Sequence, residues 1–316
     1  MSKTILVTGG LGFIGSNLVE RLFGLGHSIL VIDDLSSGKI FNLSERILDN
    51  IHFYKDSICN VNKLDEIFSK YRPEIVYHIA AKPRVQFSIK YPQLTNDSNI
   101  NGTLNVLVAA QKYGVKRVVY SASSSAYGDQ PTMPLVETMN PNPMSPYALQ
   151  KYVGECYCNL YYKIHGLETI SLRYFNVYGP KQDPEGAYAC AIAKFILQSK
   201  SADAFTIWGD GCQRRDFNYM SDVVDANLLA GFSDNKEILG KVFNIGSGRN
   251  TSVNELVDMI RKLSGRNIPS IHSPPVFEPK ETLADITLSK ELLKWSPRTT
   301  FEQGLEMTYN YFCPEK

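Results

Sequence analysis

The chain has 316 residues, 43% hydrophobic and 21% charged, with 33 Lys and Arg against 32 Asp and Glu. At roughly 100–200 residues per domain, this length suggests two domains or one large one, and the composition is that of a folded chain. The net charge of +1 excludes the basic field of a nucleic-acid binder, and no apolar run approaches the roughly 18–20 residues of a membrane span. No apolar run at the start reads as a signal peptide, so none is expected. Six cysteines (Cys59, Cys156, Cys158, Cys190, Cys212, Cys313) form no C-x-x-C pair, and five histidines show no zinc spacing. They read as reduced thiols in a cytoplasmic protein that holds no metal.

In chain order, the β-branched run Thr4–Thr8 predicts a first strand and Phe13–Leu25 a helix. Strands follow at Ser28–Ile32, more weakly at Ile51–Tyr54, then at Ile75–Ile79 and Arg117–Ser121, the last two separated by a long helix from about Leu94 to Tyr113. A second long helix runs from Pro146 to His165, before a strand at Thr169–Tyr174. From Phe175 to Arg215 the pattern is irregular; order returns with a helix at Ser221–Phe232, a strand at Val242–Ile245, and helices at Val253–Leu263 and Phe301–Phe312. Strands alternating with helices predict an α/β fold, a doubly wound parallel sheet of Rossmann type, beside a smaller α/β domain.

The first strand and helix are joined by Thr8-Gly9-Gly10-Leu11-Gly12-Phe13-Ile14-Gly15. Any Cβ there would keep the backbone from a pyrophosphate, while the helix start offers free N–H groups to the anion. Asp33 ends the second strand about 20 residues on, where a carboxylate bonds a ribose diol and repels a 2′-phosphate. No Arg lies between Asp34 and Gly38. The cofactor expected is NAD rather than NADP.

Tyr147 and Lys151 stand one helical turn apart, with Ser145 and Pro146 suited to the N-cap and first turn. A cationic lysine lowers a phenol's pKa from about 10, so that the phenolate acts as a base near neutrality. Ser121-Ala122-Ser123-Ser124-Ser125 follows the fifth strand at the end where doubly wound sheets place ligands.

Together, Thr8–Gly15, Asn99-Ile100-Asn101-Gly102-Thr103, Ser123–Gly128, Tyr147-x-x-x-Lys151 and Leu172–Gly179 resemble the extended short-chain dehydrogenase/reductase family over almost the whole chain. Within it the similarity is to the UDP-hexose 4-epimerases, particularly those acting on UDP-N-acetylglucosamine. The family's 4,6-dehydratases usually carry Thr-Asp-Glu where Ser124-Ser125-Ala126 stands here. The acid/base pair that eliminates water is missing.

The resemblance implies NAD held by Gly9, Gly12, Phe13, Ile14, Gly15, Asp33, Asp34, Ser36, Ser57, Ile58, Ala80, Asn99, Tyr147, Lys151 and Tyr174. It implies a UDP-sugar touching Ser123, Ser124, Ser125, Tyr147, Asn176, Cys190, Thr206, Trp208, Arg215, Glu278 and Thr282. Ser123 and Tyr147 would meet the sugar 4-hydroxyl, Lys151 the nicotinamide ribose, Arg215 a phosphate, and Trp208 the uracil. On its residue type alone, Trp208 is equally a core aromatic. Thr282 and Cys190, both small, would flank the sugar C2 substituent and admit an N-acetyl group.

There are departures from the family pattern. Asp56-Ser57-Ile58 replaces the usual Gly-Asp-Ile, and Pro275-Val276-Phe277-Glu278 replaces Arg-x-Gly-Asp, removing a phosphate-binding arginine. Arg84 stands where small residues are commoner, and reads either as a contact for an anionic sugar or as a solvent-facing loop residue.

The expectation is a reversible C4 epimerisation of a UDP-hexose through a 4-keto sugar, with NAD retained throughout. The alternatives are a UDP-hexuronate 4-epimerase, a net nucleotide-sugar oxidoreductase or decarboxylase, and a catalytically silent NAD-binding regulator. Residues 1–174 and 216–247 are expected to form the NAD-binding domain, and 175–215 and 248–316 the nucleotide-sugar domain. The two long helices resemble the pair that builds a homodimer's four-helix bundle in this family.

Overall fold

Alternate side chains of the apolar strands serve two cores at once. In the computed structural model, which describes residues 2–184, 191–276 and 278–314, Ile5 and Val7 of β1 (Thr4–Thr8) enter one core and Leu6 the other. Val119 of β5 (Arg117–Ser123) shares the first core, and Val118 and Tyr120 the second. Strands buried on both faces need helices on both sides.

The sheet is parallel throughout and seven-stranded: β1, β2 (Ser28–Ile32), β3 (His52–Tyr54), β4 (Ile75–His78), β5, β6 (Glu168–Tyr174) and β10 (Val242–Ile245), in the order β10-β6-β5-β4-β1-β2-β3. Chain order reverses between β1 and β4, which opens a crevice at their C-terminal ends. Helix α1 (Phe13–Gly24) packs against α9 (Met220–Phe232); α3 (Val61–Tyr71), α6 (Gly102–Lys112) and α7 (Pro146–His165) pack against one another in turn, α6 touching both α3 and α7. Three short helices lie between: α2 (Glu45–Leu48), α4 (Val85–Lys90) and α5 (Pro92–Asn96).

The helix expected from Leu94 to Tyr113 is α5 and α6 joined by a π turn at Asp97–Asn101. That turn brings Asn99 into the interior, where it is 1% exposed. Helix α3 is an addition to the elements expected above: Asn60 caps it by accepting from the Lys63 N–H at 3.2 Å, and Leu64, Ile67 and Phe68 form its buried stripe.

The stretch expected to be irregular holds β7 (Asn176–Tyr178), α8 (Ala191–Ser201), β8 (Phe205–Trp208) and the start of β9 (Arg214–Tyr219). β9 pairs with β7 and with β11 (Asn250–Ser252), and β8 pairs with β12 (Ser270–Ser273). With α10 (Val253–Ser264) and α11 (Phe301–Phe312), these enclose a third core around Tyr178, Phe205, Phe217 and Phe301. The sequence pattern hides these strands because they are three to six residues long and pair with distant partners. Among the described residues, no helix is long and apolar enough to cross a membrane.

Candidate active site

One cavity of about 710 Å³ runs from the glycine-rich turn, past Ser123 and Tyr147, to Trp208 and Glu278. Its first wall is backbone. Gly9 has φ +67, and a Cβ on Gly15 would stand 2.0 Å from the Gly9 carbonyl oxygen. The turn therefore closes only with glycine at both positions. Gly12 caps α1 without a side-chain bond, which leaves the first-turn N–H groups of α1 beside the cavity.

Asp33 braces this turn. Its carboxylate accepts from the Leu11 N–H at 2.9 Å and the Leu35 N–H at 2.8 Å. Burial pushes its pKa up, and those two N–H groups oppose the shift. Asp34 faces Lys82 at 2.8 Å; burial opposes ionisation there, but Lys82 and Ser36 carry the pKa below the usual carboxylate range.

Beneath the turn, His78 joins two motifs. Thr8 Oγ1 lies 2.7 Å from its Nδ1 and Thr103 Oγ1 2.9 Å from its Nε2. The Thr103 hydroxyl donates to the Asn99 carbonyl, so Nε2 carries the proton and Nδ1 accepts from Thr8. Full burial, aided by Lys151, lowers the His78 pKa to about 3 and keeps the ring neutral.

Ser123, at the end of β5, accepts from the Ser125 N–H at 3.2 Å, with the two hydroxyls 2.8 Å apart. Ser145 caps α7 through the Ala148 N–H at 3.2 Å and Pro146 opens the helix, which puts Tyr147 in its first turn. The Tyr147 N–H donates to Ser88 Oγ at 3.0 Å. Lys151, one turn on, is buried, and its Nζ donates to the Ser121 carbonyl at 2.7 Å. Burial lowers its pKa to about 7. The sequence treats this lysine as a standing cation; in the fold, burial weakens its hold on the proton.

At the far end Trp208 is 37% exposed, which excludes the core-aromatic reading. Arg215, expected on a phosphate, and Glu278, expected on the sugar nucleotide, face each other at 3.0 Å. Thr282 lines the wall and accepts weakly from the Asp216 N–H at 3.4 Å. Arg84 also lines the cavity, 3.7 Å from Asp183.

The profile of the NAD dependent epimerase/dehydratase family matches residues 5–246. Among solved structures, UDP-glucose 4-epimerase from Thermotoga maritima, determined with UDP-glucose, superposes with a TM-score of 0.93 at 40% identity, covering 98% of each chain. UDP-N-acetylglucosamine 4-epimerase from Methanobrevibacter ruminantium, in complex with UDP-N-acetylmuramic acid, does so at 0.93 and 35%, covering 99% of this chain and 98% of that one. UDP-glucuronate 4-epimerase from Thermodesulfobacterium geofontis is 35% identical over 97% of this chain and 95% of its own. The chain belongs to the NAD-dependent epimerase/dehydratase family.

This family member has the wall its cofactor requires: a turn that a Cβ would fill, an uncapped helix start, and a carboxylate at the end of β2. Of the residues expected on NAD, Gly9, Gly12, Phe13, Ile14, Gly15, Asp33, Asp34, Ser36, Ser57, Ile58, Ala80, Tyr147 and Tyr174 line the cavity. Asn99 and Lys151 are not among the lining residues, and both are buried. The Asn99 side chain accepts from the Lys82 N–H at 2.7 Å and donates to Gln150 at 2.8 Å, so it shapes the Lys82–Arg84 loop.

Of the residues expected on the sugar nucleotide, Ser123, Ser124, Ser125, Asn176, Thr206, Trp208, Arg215, Glu278 and Thr282 line the same space. Cys190 lies outside the described residues. Sequence reasoning missed Lys82, Gln182 and Lys194, all in the wall. The signal for Lys194 was the buried stripe Ile192, Phe195, Ile196, Ser199 of α8.

Proposed function

We propose that this chain is a UDP-hexose 4-epimerase that favours the UDP-N-acetylglucosamine/UDP-N-acetylgalactosamine pair and accepts UDP-glucose and UDP-galactose less well. The reading rests on one observation: Ser123 and Tyr147 open onto a cavity with a dinucleotide-type wall on one side and Trp208, Arg215 and Glu278 on the other. Bound NAD supplies the acceptance and return of hydride at the sugar C4. Tyr147 takes the O4 proton and later returns it, while Ser123 orients O4. Lys151, poised near pH 7 by burial, becomes cationic as the Tyr147 phenolate forms. Nothing at Ser124-Ser125-Ala126 has the acid/base chemistry to expel water, which disfavours a dehydratase.

Thr282 supports the sugar preference: it is small and held against β9, which leaves room for an acetamido group. Arg84 favours a second reading, a uronate, although it shares the Asp183 carboxylate with Lys39. The relatives span both possibilities.

Within this reading, residues 1–174 and 216–247 hold NAD, 175–215 and 248–316 hold the sugar nucleotide, and the boundary crosses β9. Two copies pair through α6 and α7, whose outer faces expose Val108, Leu149, Leu160 and Ile164; sedimentation as a monomer at micromolar concentration would remove that part.

The test is kcat/KM for acetylated, plain and uronic UDP-sugars without added NAD, with products separated, and extraction of nucleotide from heat-denatured protein. Interconversion at C4 with the acetylated pair fastest, and recovered NAD, are expected. A uronate preference selects the second reading, accumulating NADH absorbance a net oxidoreductase, and absence of C4 isotope exchange a silent regulator.

A further inference from the structure

Six cations line the cavity: Lys39, Lys82, Arg84, Lys181, Lys194 and Arg215. Lys39 and Arg84 face Asp183 at 3.4 and 3.7 Å, Lys82 faces Asp34 at 2.8 Å, and Lys181 faces Glu20 at 2.7 Å. Arg215 faces Glu278 at 3.0 Å and also donates to the Arg214 and Lys280 carbonyls. Lys194 alone faces no carboxylate among the described residues. Its Nζ lies 5.4 Å from the centre of the Trp208 ring.

We infer that Lys194 binds the diphosphate of the sugar nucleotide, in place of the arginine missing at Pro275–Glu278, and that doing so frees a face of Trp208 for the base. The inference rests on the UDP-sugar reading above. A diphosphate is drawn most readily to a cation that no carboxylate faces; among the described residues the other five share four carboxylates, and Lys194 faces none. An ammonium over an indole face is held by the ring quadrupole alone. An anionic oxygen offers a stronger, charge-assisted bond, so the amine leaves the ring when the phosphate arrives. Phosphate and base recognition are thereby coupled through one side chain: the ring is shielded by its own cation until the diphosphate draws that cation away.

The test titrates UDP and uridine separately against the protein as purified, in wild type and in Lys194→Ala, Lys194→Met and Lys194→Arg. Met keeps the apolar stem that covers the ring. For UDP, a loss of about tenfold or more is expected in the Ala and Met variants, with recovery in the Arg variant. Uridine affinity holds or improves in the Ala variant, because the ring face is free. The salt dependence of UDP binding weakens in both neutral variants, KM for the UDP-sugar rises, and kcat is retained. Unchanged UDP affinity in Lys194→Ala overturns the inference while leaving the UDP-sugar reading intact. Equal losses for UDP and uridine also overturn it, by making Lys194 a prop for Trp208. A wild type that binds neither overturns the UDP-sugar reading and the inference together.

Discussion

The two ends of the cavity are built in different ways. At the cofactor end, strand ends and helix starts carry the functional groups, and the bonds that brace them join adjacent elements: Asp33 to the turn after β1, His78 to Thr8 and Thr103, Ser145 to α7. At the nucleotide end, loops from three parts of the chain are held by two buried carboxylates. Asp216 accepts from the Ser247 N–H and hydroxyl at 2.6 and 2.7 Å, the Gly248 N–H at 3.0 Å and the Ala284 N–H at 3.1 Å. Asp222 accepts from the N–H groups of Arg298 and Thr299 at 3.2 and 3.1 Å, and its carbonyl takes the Trp295 indole N–H at 2.8 Å. A proton-transfer geometry on regular elements tolerates little error, whereas a binding wall on stapled loops is free to vary with the substrate.

The largest test of this contrast is Tyr147→Phe. It removes the proton acceptor and keeps the ring, so turnover should fall by at least ~10²–10⁴-fold with UDP-sugar binding retained. Turnover near wild type would take the chemistry away from the cofactor end.

Acid should act on that same end through His78. The unfolded ring takes a proton near pH 6.5, and the native ring refuses it until about 3. In that window the unfolded chain binds more protons, so stability falls as pH falls, by up to roughly 4 kcal/mol approaching pH 3, and is complete above pH 6.5. Urea unfolding from pH 7 to pH 4 should show a shallower loss in His78→Gln than in wild type. Parallel curves would mean that His78 is not held neutral.

At the nucleotide end, Asp216→Ala leaves three backbone N–H groups without their acceptor. A stability loss of about 2–3 kcal/mol is expected, with KM for the UDP-sugar raised more than kcat is lowered. A variant that loses kcat alone would contradict the division between the two ends.

The smallest effect belongs to Thr282→Tyr, which fills the wall proposed for the acetamido group. About a tenfold fall in kcat/KM for the acetylated pair is expected, with the plain hexoses spared. Equal performance on both would mean that Thr282 does not gate the sugar.

The cofactor end was the more legible in the sequence. Gly9, Gly12, Gly15, Asp33, Ser123, Tyr147 and Lys151 stand at spacings set by the strand and helix periods, and six of the seven line one cavity. Lys151 was recognised, but not its burial, because spacing places a side chain on a helix face and says nothing of what packs over it. The nucleotide end was read by resemblance alone. Thr282 and Glu278 follow β12 in a segment without periodicity, and Lys194 lies in the stretch expected to be irregular. No local signal announces that Asp216 draws Ala284 towards β9.

Local chemistry by itself determined the doubly wound sheet, the glycine turn and the tyrosine–lysine helix, because apolar period, glycine conformation and capping act within a few residues. Only the tertiary structure decided which cations remain unpaired, how far Lys151 is stripped of water, and that Trp208 faces the cavity rather than the core. Charge pairing and desolvation depend on neighbours far away in the chain, and those neighbours meet only after the sheet has formed.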